Sequence, residues 1–138
     1  MNKWTPEQEE AINKDGTNII VSAGAGSGKT MVLTARVLRK LMTGTNINRL
    51  LILTFTNKAA NEMKNRIRKA ISEDKEVIDQ LDYIDSSYIT TFDSFALSIV
   101  KKYNYLLNIG SNVPSSVFNS KRRVFLDVAS SNLVISIL

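Results

Sequence analysis

Cysteine and histidine are both absent from this 138-residue chain. Without cysteine there are no disulfides and no thiolate metal sites, and without histidine there are no imidazole ligands and no histidine-based proton transfer. Oxygen donors remain, which suits Mg²⁺ more than any transition metal. Long apolar runs are lacking too. No uninterrupted stretch approaches the roughly 18 residues of a membrane span, and the apolar end at 133–138 is far too short, so no membrane partner is expected. The opening MNKWTPEQEE is polar and acidic, without the apolar core of a secretory signal, which predicts a cytoplasmic protein. Negative charge is in the minority: the net charge of +5 favours a polyanionic partner without specifying one.

What the chain does contain is AGAGSGKT at 23–30, after the apolar run Ile19-Ile20-Val21 and before a helical pattern. Strand, glycine-rich loop and helix form the context of a phosphate-binding P-loop. Gly24, Gly26 and Gly28 are expected to take positive φ and to bring backbone N–H groups around a polyphosphate. Ala23, Ala25 and Ser27 complete the cradle, and the helix beginning near Gly28 adds its positive dipole end. Lys29 is the predicted contact to the β and γ phosphates and Thr30 the predicted ligand to Mg²⁺, so these two are the candidate catalytic residues. The strict pattern asks for glycine where Ala23 stands, and alanine is small enough to keep the turn. An ordinary glycine-rich turn is the competing reading, but it explains neither the Lys-Thr pair nor the preceding strand.

Around this loop the pattern alternates. Thr5-Pro6-Glu7-Gln8 reads as a helix start, with Thr5 as N-cap and Gln8 closing a capping box, and Asp15-Gly16 ends the helix. After the loop, Val32, Leu33, Val37, Leu38 and Leu41 repeat at helical spacing, with Arg36, Arg39 and Lys40 assigned to the opposite face. Residues 49–55 form a nearly continuous apolar run, as in a strand covered on both sides. Asn57 is placed to cap a helix whose buried stripe is Ala60, Met63, Ile67 and Ile71, with Asp93 or Ser94 capping another that follows a short strand at 88–91. The lysines and arginines between 58 and 69 read as the solvated face of their helix. The acidic stretch 73–86 hints at a short helix of undefined role. Residues 108–116 read as a loop and a further helical pattern starts near Ser120, so the chain divides at 1–108 and 109–138. The fold class is α/β: a P-loop, RecA-like parallel sheet with flanking helices, incomplete relative to a full motor domain.

These segments together resemble the start of the first RecA-like domain of UvrD/Rep-type superfamily 1 DNA helicases, including the AddA and RecB subunits of helicase-nuclease complexes. The resemblance runs over residues 4–103 and rests on four motifs in order. Trp4-Thr5-Pro6-Glu7-Gln8 is similar to the family's Q motif, AGAGSGKT to its P-loop, and the segment Leu53-Thr54-Phe55-Thr56-Asn57-Lys58-Ala59-Ala60-Asn61-Glu62-Met63 to motif Ia. Thr90-Thr91-Phe92-Asp93-Ser94-Phe95 is similar to motif Ib, with Asp93 where many members carry histidine. The resemblance implies an ATP-dependent DNA helicase or translocase with ATP and Mg²⁺ as cofactors. It implies single-stranded or duplex DNA as partner, and a helicase-nuclease partner subunit.

Each motif also has a reading of its own. The Gln8 amide carries a donor and an acceptor that match the N7 and N6 of adenine, and it equally suits a capping box without ligand. Thr54, Thr56, Asn57, Thr91 and Ser94 sit where strands give way to helices, a place for hydroxyls and amides to hold backbone phosphates. Phe55 and Phe92 can stack on bases or belong to the core. Hydrolysis needs an acidic pair at a strand end and arginine fingers, and neither is found after Ser94, so turnover by this chain alone is expected to be small. The segment 18–22 is then left with an open edge, for which 133–138 is the candidate cover. Two other functions stay open: a catalytically silent nucleic-acid-binding or scaffold module, and another P-loop enzyme such as a small kinase.

Overall fold

The computed structural model describes residues 4–16, 18–22, 24 and 26–106. The expectations for Ala23, Ala25, the loop at 108–116, the helix from Ser120 and the apolar end at 133–138 lie outside the described residues.

Thr5 starts the first helix as its sequence predicts. The Thr5 hydroxyl accepts from the Gln8 amide at 3.3 Å while the Gln8 side chain accepts from the Thr5 amide at 3.0 Å. With Pro6 preset for the first turn, this box nucleates α1, Pro6–Asn13. The second helix, α2, runs Lys29–Met42, and Gly44, at φ 90°, follows its end. A short 3₁₀ turn, Ile47–Arg49, leads into β1, Leu51–Thr54. Next comes α3, Asn57–Ser72, whose Ala60, Met63, Ile67 and Ile71 form the predicted buried stripe. A nine-residue 3₁₀ segment, Ile78–Ser86, returns the chain to β2, Tyr88–Thr91, and α4, Phe92–Tyr103, completes the order.

β1 and β2 pair in parallel, with Leu51 opposite Tyr88 and Thr54 opposite Thr91. Parallel neighbours need a long crossover, here supplied by α3 and the 3₁₀ segment. The core joins Leu33, Val37 and Leu41 of α2 to Met63, Ile67 and Ile71 of α3, and closes on Ile47, Leu50, Ile52, Val77, Ile84 and Ile89. A separate small cluster, Ala11, Ile12 and Val32 with Trp4, Val21 and Ala35 against it, holds α1 to α2. The fold is thus α/β, a small parallel sheet with flanking helices. The acidic stretch has a structural role. Its Val77 and Ile84 are core, its buried Gln80 accepts from the Ile47 amide at 3.0 Å, and Asp85 pairs with Lys64 and Arg68 of α3.

Four expectations need correction. Residues 18–22 are not a strand: among the described residues β1 and β2 pair only with each other, and backbone without a neighbouring chain forms no ladder. Ile20 is accordingly 78% exposed, whereas Val21 joins the cluster under α1. Thr56, not Asn57, caps α3, its hydroxyl accepting from the Ala59 amide at 3.1 Å. Thr91, not Asp93 or Ser94, caps α4, because the helix follows the strand directly and the Thr91 hydroxyl reaches the Ser94 amide at 3.2 Å. Arg36 does not face solvent on α2: it is 9% exposed and turned onto the end of α1.

Candidate functional site

The loop at 23–30 is organised by two glycines and one carbonyl. Gly26 and Gly28 adopt φ of 78° and 83°, the left-handed region where a β-carbon is strained, while Gly24 does not, contrary to the sequence expectation for all three. Gly28 is the residue that caps α2, so the backbone turns there from loop into helix. The Gly24 carbonyl is the point on which the loop closes. It accepts from the Lys29 ammonium at 2.8 Å and from the Ser27 hydroxyl at 2.8 Å, with the Ser27 amide at 3.4 Å. Lys29 and Thr30 are half-buried in the first turn of α2, where backbone amides and the helix dipole favour an anion. An ammonium already seated on an oxygen of this loop is placed to take a phosphate oxygen instead.

Gln8 meets the same loop from the other side. Its Nε2 donates to the Ser27 carbonyl at 3.3 Å while its Oε1 holds the Thr5 amide. A primary amide has two donor hydrogens and two acceptor lone pairs, so one of each is left over for a ligand. The capping role and a base-reading role are therefore compatible in one side chain. Nearby, Glu7 is held below its ordinary value by its own backbone N–H and then by the Thr5 hydroxyl.

The far end of α1 is anchored by charge. Arg36 Nη1 donates to the Ala11 carbonyl at 2.7 Å and to the Ile12 carbonyl at 3.2 Å. Asp15, just past the helix, accepts from Arg39 at 2.7 Å and Lys40 at 2.5 Å, with Arg36 Nη2 at 3.8 Å. The Arg39 hydrogen bond, then that of Lys40, holds the Asp15 carboxyl far below the usual carboxylate range. Arg39 is raised in turn by Asp15.

A second group of predicted residues gathers at the carboxyl end of the sheet. Thr54 and Thr91 are buried and opposite each other. Their hydroxyls are engaged locally: Thr54 donates to the Thr56 carbonyl at 3.1 Å, and Thr91 donates to the Ser94 hydroxyl at 2.9 Å while receiving the Ser94 amide. Thr56 is occupied as the cap of α3. The residues immediately after the paired threonines, Phe55 and Phe92, are 49% and 56% exposed, and Asn57 is exposed beside them. These phenylalanines are therefore not core.

The sequence profile of the UvrD/REP helicase N-terminal domain matches residues 4–136. The chain belongs to this family. Among proteins of known description, an ATP-dependent helicase/nuclease subunit from Lactobacillus gasseri is 45% identical over 116 residues, which cover 79% of this chain and 10% of that protein. The proteins of the same description from Oceanobacillus iheyensis and Thermoanaerobacter pseudethanolicus are 45% and 42% identical over 119 and 120 residues. They too are matched over 10% of their length, so this chain spans about a tenth of such relatives.

In this UvrD/REP helicase N-terminal domain the structure brings Gln8, Ser27 and Lys29 of the sequence-expected nucleotide loop together, and of the two readings left open for Phe55 and Phe92 it removes the core one. Sequence reasoning missed Asp15 and Arg36, and it assigned Ser27 only to the phosphate cradle. Arg36 lies 25 residues from Ala11 in the chain, and the available clue was its position on α2 beside the apolar stripe that faces α1.

Proposed function

We propose that the chain is the nucleotide- and DNA-binding start of a RecA-like motor domain in an ATP-dependent DNA helicase or translocase. In this reading residues 23–30 cradle the phosphates of ATP, with Lys29 on the terminal phosphates and Gln8 on the adenine edge. The observation that carries it is the convergence of Lys29, Ser27 and Gln8 on one glycine-rich turn at the start of α2. Gly26 and Gly28 in the left-handed region fit a backbone that must approach a polyphosphate closely. Among the described residues no three acidic groups stand together to hold a metal. In this reading the Thr30 hydroxyl would be a ligand to a Mg²⁺ bound with the phosphates, and the ion would neutralise charge developing on them.

Single-stranded DNA is assigned to the carboxyl end of the sheet. Phe55 and Phe92 offer faces for base stacking, which tolerates any sequence. Thr54, Thr56, Asn57, Thr91 and Ser94 shape the backbone beneath them, and the amide end of α3 favours phosphate. The relatives' description, a helicase/nuclease of which each is one subunit, supports a second subunit for the whole protein. Work on DNA in turn supports a cytoplasmic location. Among the described residues no helix is long and apolar enough to cross a membrane.

Titration of the chain with a non-hydrolysable ATP analogue plus Mg²⁺, and separately with single-stranded DNA, tests this. Both ligands are expected to bind weakly, Lys29→Ala abolishing the first and sparing the second, with little hydrolysis of ATP. Binding of DNA alone would favour the silent module, binding of nucleotide alone another P-loop enzyme. Brisk hydrolysis that depends on Lys29 would overturn the expectation of low turnover.

A further inference from the structure

We propose that Arg36, working with Asp15, is a positioning residue for base selection: it pins the C-terminal end of α1 to α2 and so fixes Gln8 relative to Lys29. This rests on the nucleotide-site reading given above. A helix as short as α1, Pro6–Asn13, has little stability of its own and takes its position from what it packs on. Its apolar contacts are modest, Ala11 and Ile12 against Val32 with Trp4, Val21 and Ala35 alongside. Polar links hold it at both ends. At the N-terminal end Gln8 Nε2 reaches the Ser27 carbonyl, and at the C-terminal end the buried Arg36 guanidinium bridges the Ala11 and Ile12 carbonyls.

Arg36 lies seven residues beyond Lys29, close to two turns or about 10 Å along α2. Gln8 and Ile12 are four residues apart on α1, about 6 Å. The two helices thus form a frame, closed by the Gln8–Ser27 bond at one corner and by Arg36 at the other. A guanidinium suits the closing corner because its planar fork serves two carbonyls and leaves Nη2 turned toward Asp15 at 3.8 Å. Asp15 extends the clamp to Arg39 and Lys40 on the next turn. Removing the clamp leaves α1 attached through its small apolar patch and lets Gln8 drift from the geometry in which its amide reads a base edge. The phosphate cradle, built within 24–30, is left in place.

The experiment compares binding of ADP, GDP and inorganic tripolyphosphate to the 138-residue chain and to Gln8→Ala, Asp15→Asn, Arg36→Met and Arg36→Lys. Trp4, the single tryptophan, packs on the α1 cluster and reports its seating by fluorescence. The wild-type chain should prefer ADP to GDP by about tenfold, the order expected from two hydrogen bonds. Gln8→Ala should remove that preference. Asp15→Asn and Arg36→Met should reduce it to about twofold, shift the Trp4 emission and leave tripolyphosphate binding unchanged, while Arg36→Lys restores part of the preference. An unchanged ADP preference in Asp15→Asn and in a folded Arg36→Met, alongside its loss in Gln8→Ala, would overturn this inference and leave the site reading intact. If Arg36→Met does not fold, Asp15→Asn decides alone. Failure of the wild-type chain to bind tripolyphosphate or either nucleotide would overturn the nucleotide-site reading and this inference together, whereas equal binding of ADP and GDP would overturn this inference and the adenine role of Gln8 and leave the phosphate cradle.

Discussion

Thr54 and Thr91 face each other as the last pair of the parallel ladder, and each is followed by a phenylalanine exposed to solvent. The pairing fixes the spacing of the two strand ends, so it also determines where Phe55 and Phe92 emerge. Both phenylalanines therefore follow strand ends whose separation is set by the ladder.

Phe55→Ala and Phe92→Ala are each expected to weaken single-stranded DNA binding by about 1–3 kcal/mol, the range for loss of one base-stacking aromatic. Melting temperature should barely move, because both side chains are about half exposed. Fluorescence anisotropy on labelled homopolymers measures the first effect and thermal melting the second. A large loss of stability without loss of DNA affinity would return both rings to a structural role.

Gly24 and Gly28 should separate cleanly. Gly28→Ala forces a β-carbon at φ 83°, a conformation costing about 1–2 kcal/mol in a residue with a side chain. Gly24→Ala meets no atom within 4 Å and no positive φ, so folding should be unaffected. Urea unfolding of the two variants checks the contrast. Equal destabilisation of both would mean that the turn at Gly28 is not the constraint.

Two caps carry weight that their sequence neighbours do not. Thr56→Ala should cost about 1 kcal/mol through loss of the α3 cap, whereas Asn57→Ala should be close to neutral. Thr91→Val keeps the shape but strips the hydroxyl that both receives the Ser94 amide and donates to the Ser94 hydroxyl, so it should cost about 1–2 kcal/mol. Chemical denaturation reads both, and an Asn57 effect as large as that of Thr56 would contradict the assignment.

Acid sensitivity should reveal the clamp at Asp15. Its folded-state carboxyl is depressed, chiefly by the Arg39 hydrogen bond, below the ordinary value of 3.8. A depressed carboxylate contributes stability that is fully present above the unfolded value and is lost as pH falls toward the folded one. The stability difference between the wild-type chain and Asp15→Asn should therefore be constant from neutral pH to about pH 5 and shrink below about pH 4. Asp85, depressed chiefly by the Lys64 hydrogen bond and then by Arg68, should behave likewise in Asp85→Asn. Because these groups are partly solvated, added salt should reduce both differences. A difference that grows on acidification would have the wrong sign.

Local chemistry was readable in the sequence and distant chemistry was not. The box between Thr5 and Gln8 spans three residues and depends on nothing else, and the stripe Ala60, Met63, Ile67 and Ile71 declares its own buried face by spacing alone. Where neighbouring residues competed for one short-range task, the choice was off by one to three positions. Thr56 took the cap from Asn57, and Thr91 took it from Ser94, because the exact point at which strand becomes helix decides which hydroxyl can reach the third amide. Arg36 was misplaced for a different reason: its charge suggested the solvent face, although it stands four residues after Val32 beside the stripe that meets α1. The segment at 18–22 failed for a third reason, since an apolar run becomes a strand only where another chain lies alongside.

On the nucleotide reading proposed above, the hydrogen bond from Lys29 to the Gly24 carbonyl would make phosphate capture an exchange of oxygens, not the filling of a gap. The turn keeps its shape by satisfying its own cation, so an arriving anion gains only the surplus of its attraction over a carbonyl already in place. A chain of linked phosphates would offer several oxygens to that exchange at once. On that reading the turn would be held in shape before a polyphosphate arrives, with Lys29 changing one oxygen partner for another.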